Sequence, residues 1–305
     1  MLARQWACWR CWAGQRCGER PMRRSRVTSR AFVALAVLPL LALAAAPAQT
    51  PSPDATPVET PQPFSEGPLT IGHSVQGRPI EVWRFGSGER AYLVVGGIHG
   101  GYEVNTSRLL YELIATIEKH PEEFPADVTL YLLPVLNPDG AQFPDQKEGR
   151  ANANGVDLNR NYPNPDWATT WPKSGCWNYL PIHGGEYALS EPETAALMAF
   201  VIENRPLTAL LSYHAAAPGF YPALDDASES LSAYLSEASG YPYPPPFTGC
   251  HMTGSLADWA AGQGVPAIDV ELPNHRDTDF ETNWTLIQAL LRWTPESAAT
   301  ATPEP

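Results

Sequence analysis

The stretch AYLVVGGIHGGYE, residues 91–103, decides how this chain is read. A short apolar run ends in Gly96-Gly97, which suits a buried strand stopping at a turn. A histidine, two more glycines and a carboxylate follow. Residues 103–120 then place Leu109, Leu110, Leu113 and Ile117 at helical spacing. The unit recurs downstream. Residues 128–133 (VTLYLL), 207–213 (LTALLSY) and 265–272 (VPAIDVEL) are further apolar strands. Residues 190–204, 254–261 and 280–293 are helices, the first opened by the capping box Ser190-Glu191-Pro192-Glu193. Apolar strands alternating with helices predict an α/β fold: a mixed central sheet covered by helices on both faces, in a single domain over residues 65–293.

The flanks have a different composition. Residues 1–48 carry eight Arg and one Glu, whereas the remainder carries twelve Lys or Arg against 32 Asp or Glu. A body that acidic repels phosphate, which argues against nucleic acid as a partner. Arg23, Arg24, Arg26 and Arg30 precede the apolar run 31–45 and the small residues Ala46-Pro47-Ala48. This is the pattern of an export signal cut after Ala48. The run is short for a membrane span, so no stable anchor is expected. A signal of ordinary length begins at Met22, which is the expected start of translation. Cys8-x-x-Cys11 has no second half to complete a metal site. Residues 49–64 and 294–305 are rich in Pro and Thr and poor in large apolar residues, as in a disordered linker and tail. Cys176 and Cys250 are the cysteines left after the signal, and their pairing stays open.

Three chemically suited residues fall at strand ends. His99 lies just past the first strand, His214 directly after the third and Glu271 near the end of the last. In open α/β sheets, sites form at the carboxyl ends of strands. Glycines on both sides of His99 allow close backbone approach, and Glu103 is the nearest acid. Catalytic zinc takes three N or O ligands and leaves one position open. His183-Gly184-Gly185-Glu186 has a tighter His-x-x-Glu spacing, but no strand feeds it, and it reads as a loop. His73 and His275 read as surface or structural residues.

The motifs run in a fixed order: SVQGRP (74–79), GGIHG (96–100), NPDG (137–140), RANANGVDLNRNY (150–162), SEPET (190–194), SYH (212–214), Gly254-Ser255, Asp258-Trp259 and Glu271-Leu272. In that order they resemble the zinc carboxypeptidases of the carboxypeptidase A type. Residues 150–160 are similar to the bacterial branch that trims murein peptides. The resemblance implies that His99, Glu103 and His214 bind one Zn2+ and that Glu271 is the general base. It implies that Arg150 stabilises the oxyanion, and that Asn159 and Arg160 grip the terminal carboxylate. Asp157 is then a structural carboxylate or a support for the ligands. The implied protein is a zinc metallocarboxypeptidase acting on peptides or murein peptides; the export pattern makes it secreted or cell-envelope, and residues 49–63 are too short and too polar to fold as an inhibitory domain, so activity on secretion is expected.

Two departures stand out. The family spacing is His-x-x-Glu, and here one more residue intervenes before Glu103. The tyrosine that the family places shortly before Gly-Ser is missing from residues 249–253, leaving Tyr243 further upstream or His251. Leu256, Ala257 and Asp258 are candidates for the pocket taking the released side chain; apolar walls suit an apolar residue, and the acid suits an amine. Two other readings are a zinc amidohydrolase cleaving N-acyl amino acids and an inactive peptidase-like binding domain. The presence of Glu271 speaks against the second.

Overall fold

We describe residues 63–171, 182–247, 249 and 252–295 of a computed structural model. The segment read as an export signal, most of the segment read as a linker, Cys176, Cys250, His251 and residues 296–305 lie outside the described residues.

Seven strands form one sheet: β1 (Ser65–His73), β2 (Pro79–Gly86), β3 (Arg90–Val95), β4 (Val128–Leu133), β5 (Ala209–Ala215), β6 (Gly219–Pro222) and β7 (Ala267–Leu272), in the order β1-β2-β4-β3-β5-β7-β6. The central four, β4-β3-β5-β7, are parallel. They are the apolar runs seen in the sequence, and burial on both faces accounts for their continuous hydrophobicity. Antiparallel strands finish both edges, β1 and β2 beside β4 and β6 beside β7. The sheet is therefore mixed, as expected.

Five helices cover it: α1 (Val104–Lys119), α2 (Pro192–Glu203), α3 (Asp226–Ser239), α4 (Leu256–Gly262) and α5 (Phe280–Leu290). Alternate strand residues feed two cores. Tyr92, Val94, Leu211 and Val270 pack with α1, α3 and α5, while Leu93, Val95, Leu210 and Ala267 pack with α2 and α4. None of the described helices is long and apolar enough to cross a membrane.

Two expectations change at helix ends. The capping box of α2 does not form. Glu191, rather than Ser190, stands at the N-cap position and makes no side-chain cap bond, and the Glu193 carboxylate accepts instead from the Val75 amide at 3.0 Å and the Asn152 side-chain amide at 3.1 Å. The last helix stops at Leu290, three residues short of the expectation. There the chain turns so that the buried Trp293 carbonyl accepts from the Tyr92 hydroxyl at 2.6 Å, tying the C-terminal segment to β3.

Candidate metal centre

His99 is reached from β3 through Gly96, Gly97 and Ile98. The extra residue between His99 and Glu103 is absorbed by a 3-10 turn, Gly101–Glu103, entered through Gly101 at φ 62°. That left-handed backbone is open to glycine at little cost. The turn brings Glu103 back towards His99, one helical turn away in sequence. Gly100 is needed for a different reason: a Cβ there would stand 2.3 Å from the Gly140 carbonyl carbon and 2.5 Å from the Ala141 nitrogen. Gly100→Ala must push two backbone segments apart. It is expected to destabilise the metal-free protein by about 1–3 kcal/mol, the usual cost of overpacking, read from denaturant unfolding. Unchanged stability would mean that the loop is not close-packed.

His214 lies on β5 and pairs in register with Glu271 on β7; two residues earlier, Ser212 pairs with Asp269. With a side-chain period of two, all four residues share one sheet face. His99 Nδ1 is 3.0 Å from Glu103 Oε1, His214 Nδ1 is 3.3 Å from Glu103 Oε2, and the two Nδ1 atoms are 3.3 Å apart. All three residues are buried. Donor atoms around a tetrahedral zinc ion with bonds of about 2.0–2.1 Å stand about 3.3 Å apart. The separations fit that ion, and so does the chemistry of two imidazoles and a carboxylate. A second group of such residues, His120, Glu122 and Glu123, lies exposed on the surface. His183 instead accepts from the Gly185 amide at 3.1 Å through Nδ1, and Glu186 is exposed; neither belongs to the group of three donors.

The electrostatics suit a cation. Burial alone would raise the Glu103 pKa, but His99, His214 and Arg150 hold it well below the usual carboxylate range. Burial would lower that of His214, but Asp269 and Glu103 outweigh it and push it up to about 10. Burial likewise opposes ionisation of Asp157, whereas Arg150, His99 and Arg160 keep it charged. Asp157 is fully buried and bonds His99 Nε2 at 2.8 Å, which turns the His99 Nδ1 atom inward.

A cavity of about 660 Å³ opens over these donors. Arg150, Asn159, Arg160 and Glu271 all line it, as do Ala257 and Asp258. Arg150 contacts Glu103 at 2.9 Å and Asp157 at 2.9 Å, so it also braces the ligand carboxylate. Arg160 is buried, donates to the Asn159 carbonyl at 2.8 Å and leaves Nε without a hydrogen-bond partner. The Asn159 amide faces inward, accepting from Leu256 N at 2.8 Å and donating to Asp269 at 3.3 Å. Glu271 accepts from the Ala217 amide at 3.1 Å, and burial pushes its pKa up to about 8.

Three lining residues change the sequence reading. Tyr243 forms part of the wall. His275 lines the cavity, with its ring 5.7 Å from that of Tyr102. Asp269 belongs to none of the sequence motifs, yet it lines the cavity, standing two residues before Glu271 on a strand and so sharing its face.

Comparisons with known proteins bear on this geometry. The Peptidase M14 family, described as zinc carboxypeptidase, matches residues 67–244. Murein peptide amidase A of Escherichia coli strain K12 is 28% identical over 247 residues, covering 77% of this chain and 93% of its own. The human carboxypeptidase N catalytic chain is 32% identical over 155 residues, covering 43% of this chain and 34% of its own. Among solved structures, murein-tripeptide amidase from Escherichia coli O157 has a TM-score of 0.54 at 24% identity, covering 80% of this chain and 94% of its own. Carboxypeptidase A from Helicoverpa armigera has a TM-score of 0.59 at 19% identity, covering 77% and 69%. At those identities the structural likeness is one of fold.

Proposed function

The chain belongs to the zinc carboxypeptidase family, and from that premise we propose that it is an exported metallocarboxypeptidase that hydrolyses the C-terminal amide bond of peptides, murein peptides among them. One observation carries the reading: three buried donors at zinc-ligand separations share a cavity with a buried guanidinium and a half-buried carboxylate. The likeness to murein peptide amidase A over most of both chains supports the murein substrate. The basic and apolar composition of residues 23–48 supports export.

His99, Glu103 and His214 would hold the zinc, which when bound acts as a Lewis acid and lowers the pKa of its water towards ~7. Glu271 takes a proton from the attacking water and delivers it to the departing amine. Arg150 offers fixed positive charge to the developing oxyanion. Arg160, with its unpartnered Nε, receives the terminal carboxylate, for which its planar fork is suited. Asn159 stands beside it and fixes the wall through Leu256.

The test is mass spectrometry of products from a panel of free peptides, murein fragments, N-acyl amino acids and C-terminally amidated peptides, with and without a zinc chelator. Free C-terminal residues should appear only without chelator. Amidation removes a charge-assisted contact of about 1.5–3 kcal/mol and should slow release by about 10–150-fold. Release of no C-terminal residue, or equal release from amidated peptides, would defeat the reading. Cleavage of N-acyl amino acids alone would make the protein an amidohydrolase instead.

A further inference from the structure

We propose that Asp269 is a positioning residue: it holds His214 with its Nδ1 atom towards the metal and links that ring to Asn159 in the substrate pocket. The inference rests on the zinc site proposed above.

His214 turns Nδ1 towards Glu103 and His99, at 3.3 Å from each. A metal on Nδ1 leaves the proton on Nε2, so Nε2 must act as a donor. Its neighbours are the Ser212 hydroxyl at 3.0 Å, the Asn159 amide nitrogen at 3.3 Å and Asp269 Oδ1 at 3.6 Å. The Asn159 nitrogen cannot receive that proton. Asn159 Oδ1 is committed to the Leu256 amide, so its side chain cannot flip to offer an oxygen. The remaining acceptors are Ser212 and Asp269. Asp269 is 3% exposed, and its Oδ1 has no hydrogen-bond partner. Ser212 is the nearer acceptor for the ring N–H, but Asp269 Oδ1 is an orphan beside the same proton, and a small shift closes the 3.6 Å gap so that the two share it. Leaving such a group unmatched in the interior is costly.

The other carboxylate oxygen, Oδ2, accepts from the Asn159 amide at 3.3 Å. Asp269 therefore touches the metal-ligand side through one oxygen and the pocket wall through the other. It does for His214 what Asp157 does for His99 at 2.8 Å. Each ligand histidine then has a buried carboxylate behind it, the arrangement that fixes tautomer and ring orientation in metal sites.

Asp269→Asn tests this with the shape preserved. An asparagine has one oxygen and can satisfy either Asn159 or the His214 N–H, not both. Zinc affinity, measured by competition with a chromophoric chelator, is expected to fall by about 10–100-fold. At saturating zinc, kcat is expected to drop by a similar factor for peptides ending in apolar and in amine-bearing residues. Unchanged zinc affinity overturns the inference. So does a loss confined to amine-bearing C-terminal residues, which would make Asp269 a selector of the released side chain. If the variant does not fold, imidazole proton–nitrogen correlation spectra of the zinc-loaded wild type decide. A hydrogen-bonded Nε2–H on His214 supports the proposal, and coordination through Nε2 overturns it. Wild-type protein that takes up no zinc removes the site reading and this inference together; wild-type binding with an indifferent Asp269→Asn variant removes this inference alone.

Discussion

Glu271→Gln is expected to lower kcat by about 10²–10⁴-fold, the range for loss of a general acid–base, while bound zinc stays as in the wild type. The side chain stands on β7 in register with His214 on β5, so strand pairing places the base beside the metal donors. Its carboxylate is anchored by the Ala217 amide at 3.1 Å, and glutamine can keep that bond through its own carbonyl oxygen. The substitution therefore removes proton transfer and little else. The pH dependence gives a second readout. Burial pushes the Glu271 pKa up to about 8 and Glu103 and Asp269 push the same way, against His214. A bound dication favours the ionised form and pulls the value down. The base works when ionised, so activity should rise with pH along an acid limb centred below about 8. That limb should vanish from the residual activity of the variant. A variant with kcat within tenfold of wild type would remove Glu271 from the role.

The parts of this fold legible in the sequence are those in which burial leaves a mark. β3, β4, β5 and β7 are buried on both faces and read as unbroken apolar runs. β1 left no mark because it is exposed along most of its length and shows no apolar alternation, whereas the alternation of Ile80 and Val82 in β2 was there to be read. α3 hid for another reason. Its buried face mixes Leu231 and Leu235 with Ser228 and Ser232, which blurs the hydrophobic period. The Asp225 cap and the left-handed Gly240 stop were there to be read. In the site, His99, His214 and Glu271 were legible from their places at strand ends. The longer step to Glu103 was accommodated by a 3-10 turn that spacing alone does not reveal. Asp269 was hidden among the apolar residues of β7, and His275 lies in a loop whose approach to the cavity is a tertiary fact.

The step from His99 to Glu103 yields the most consequential prediction, because two His–Glu pairs compete in the sequence. Glu103→Ala should remove zinc: the carboxylate reaches both histidines, at 3.0 Å and 3.3 Å, and among the described residues no other acid joins that group of donors. Losing one of three ligands should cost more than the about 10–100-fold attributed to supporting residues. Metal content after dialysis should fall to background, and activity with it. Glu103→Ala also takes a carboxylate from Arg150, which keeps Asp157. Glu103→Gln separates the two effects: it preserves the volume beside Arg150 but offers a neutral, weaker ligand. It should fold as the wild type does and still bind zinc poorly. Glu186→Ala is the counterpart. Glu186 is exposed on a loop, and a surface change of that kind is expected to stay within about 0.5 kcal/mol in stability, with zinc content and turnover unchanged. The reverse pattern, zinc lost from the Glu186 variant and kept by both Glu103 variants, would transfer the metal to the His183 loop. His99 and His214 would then be left facing each other at 3.3 Å with no ion to hold.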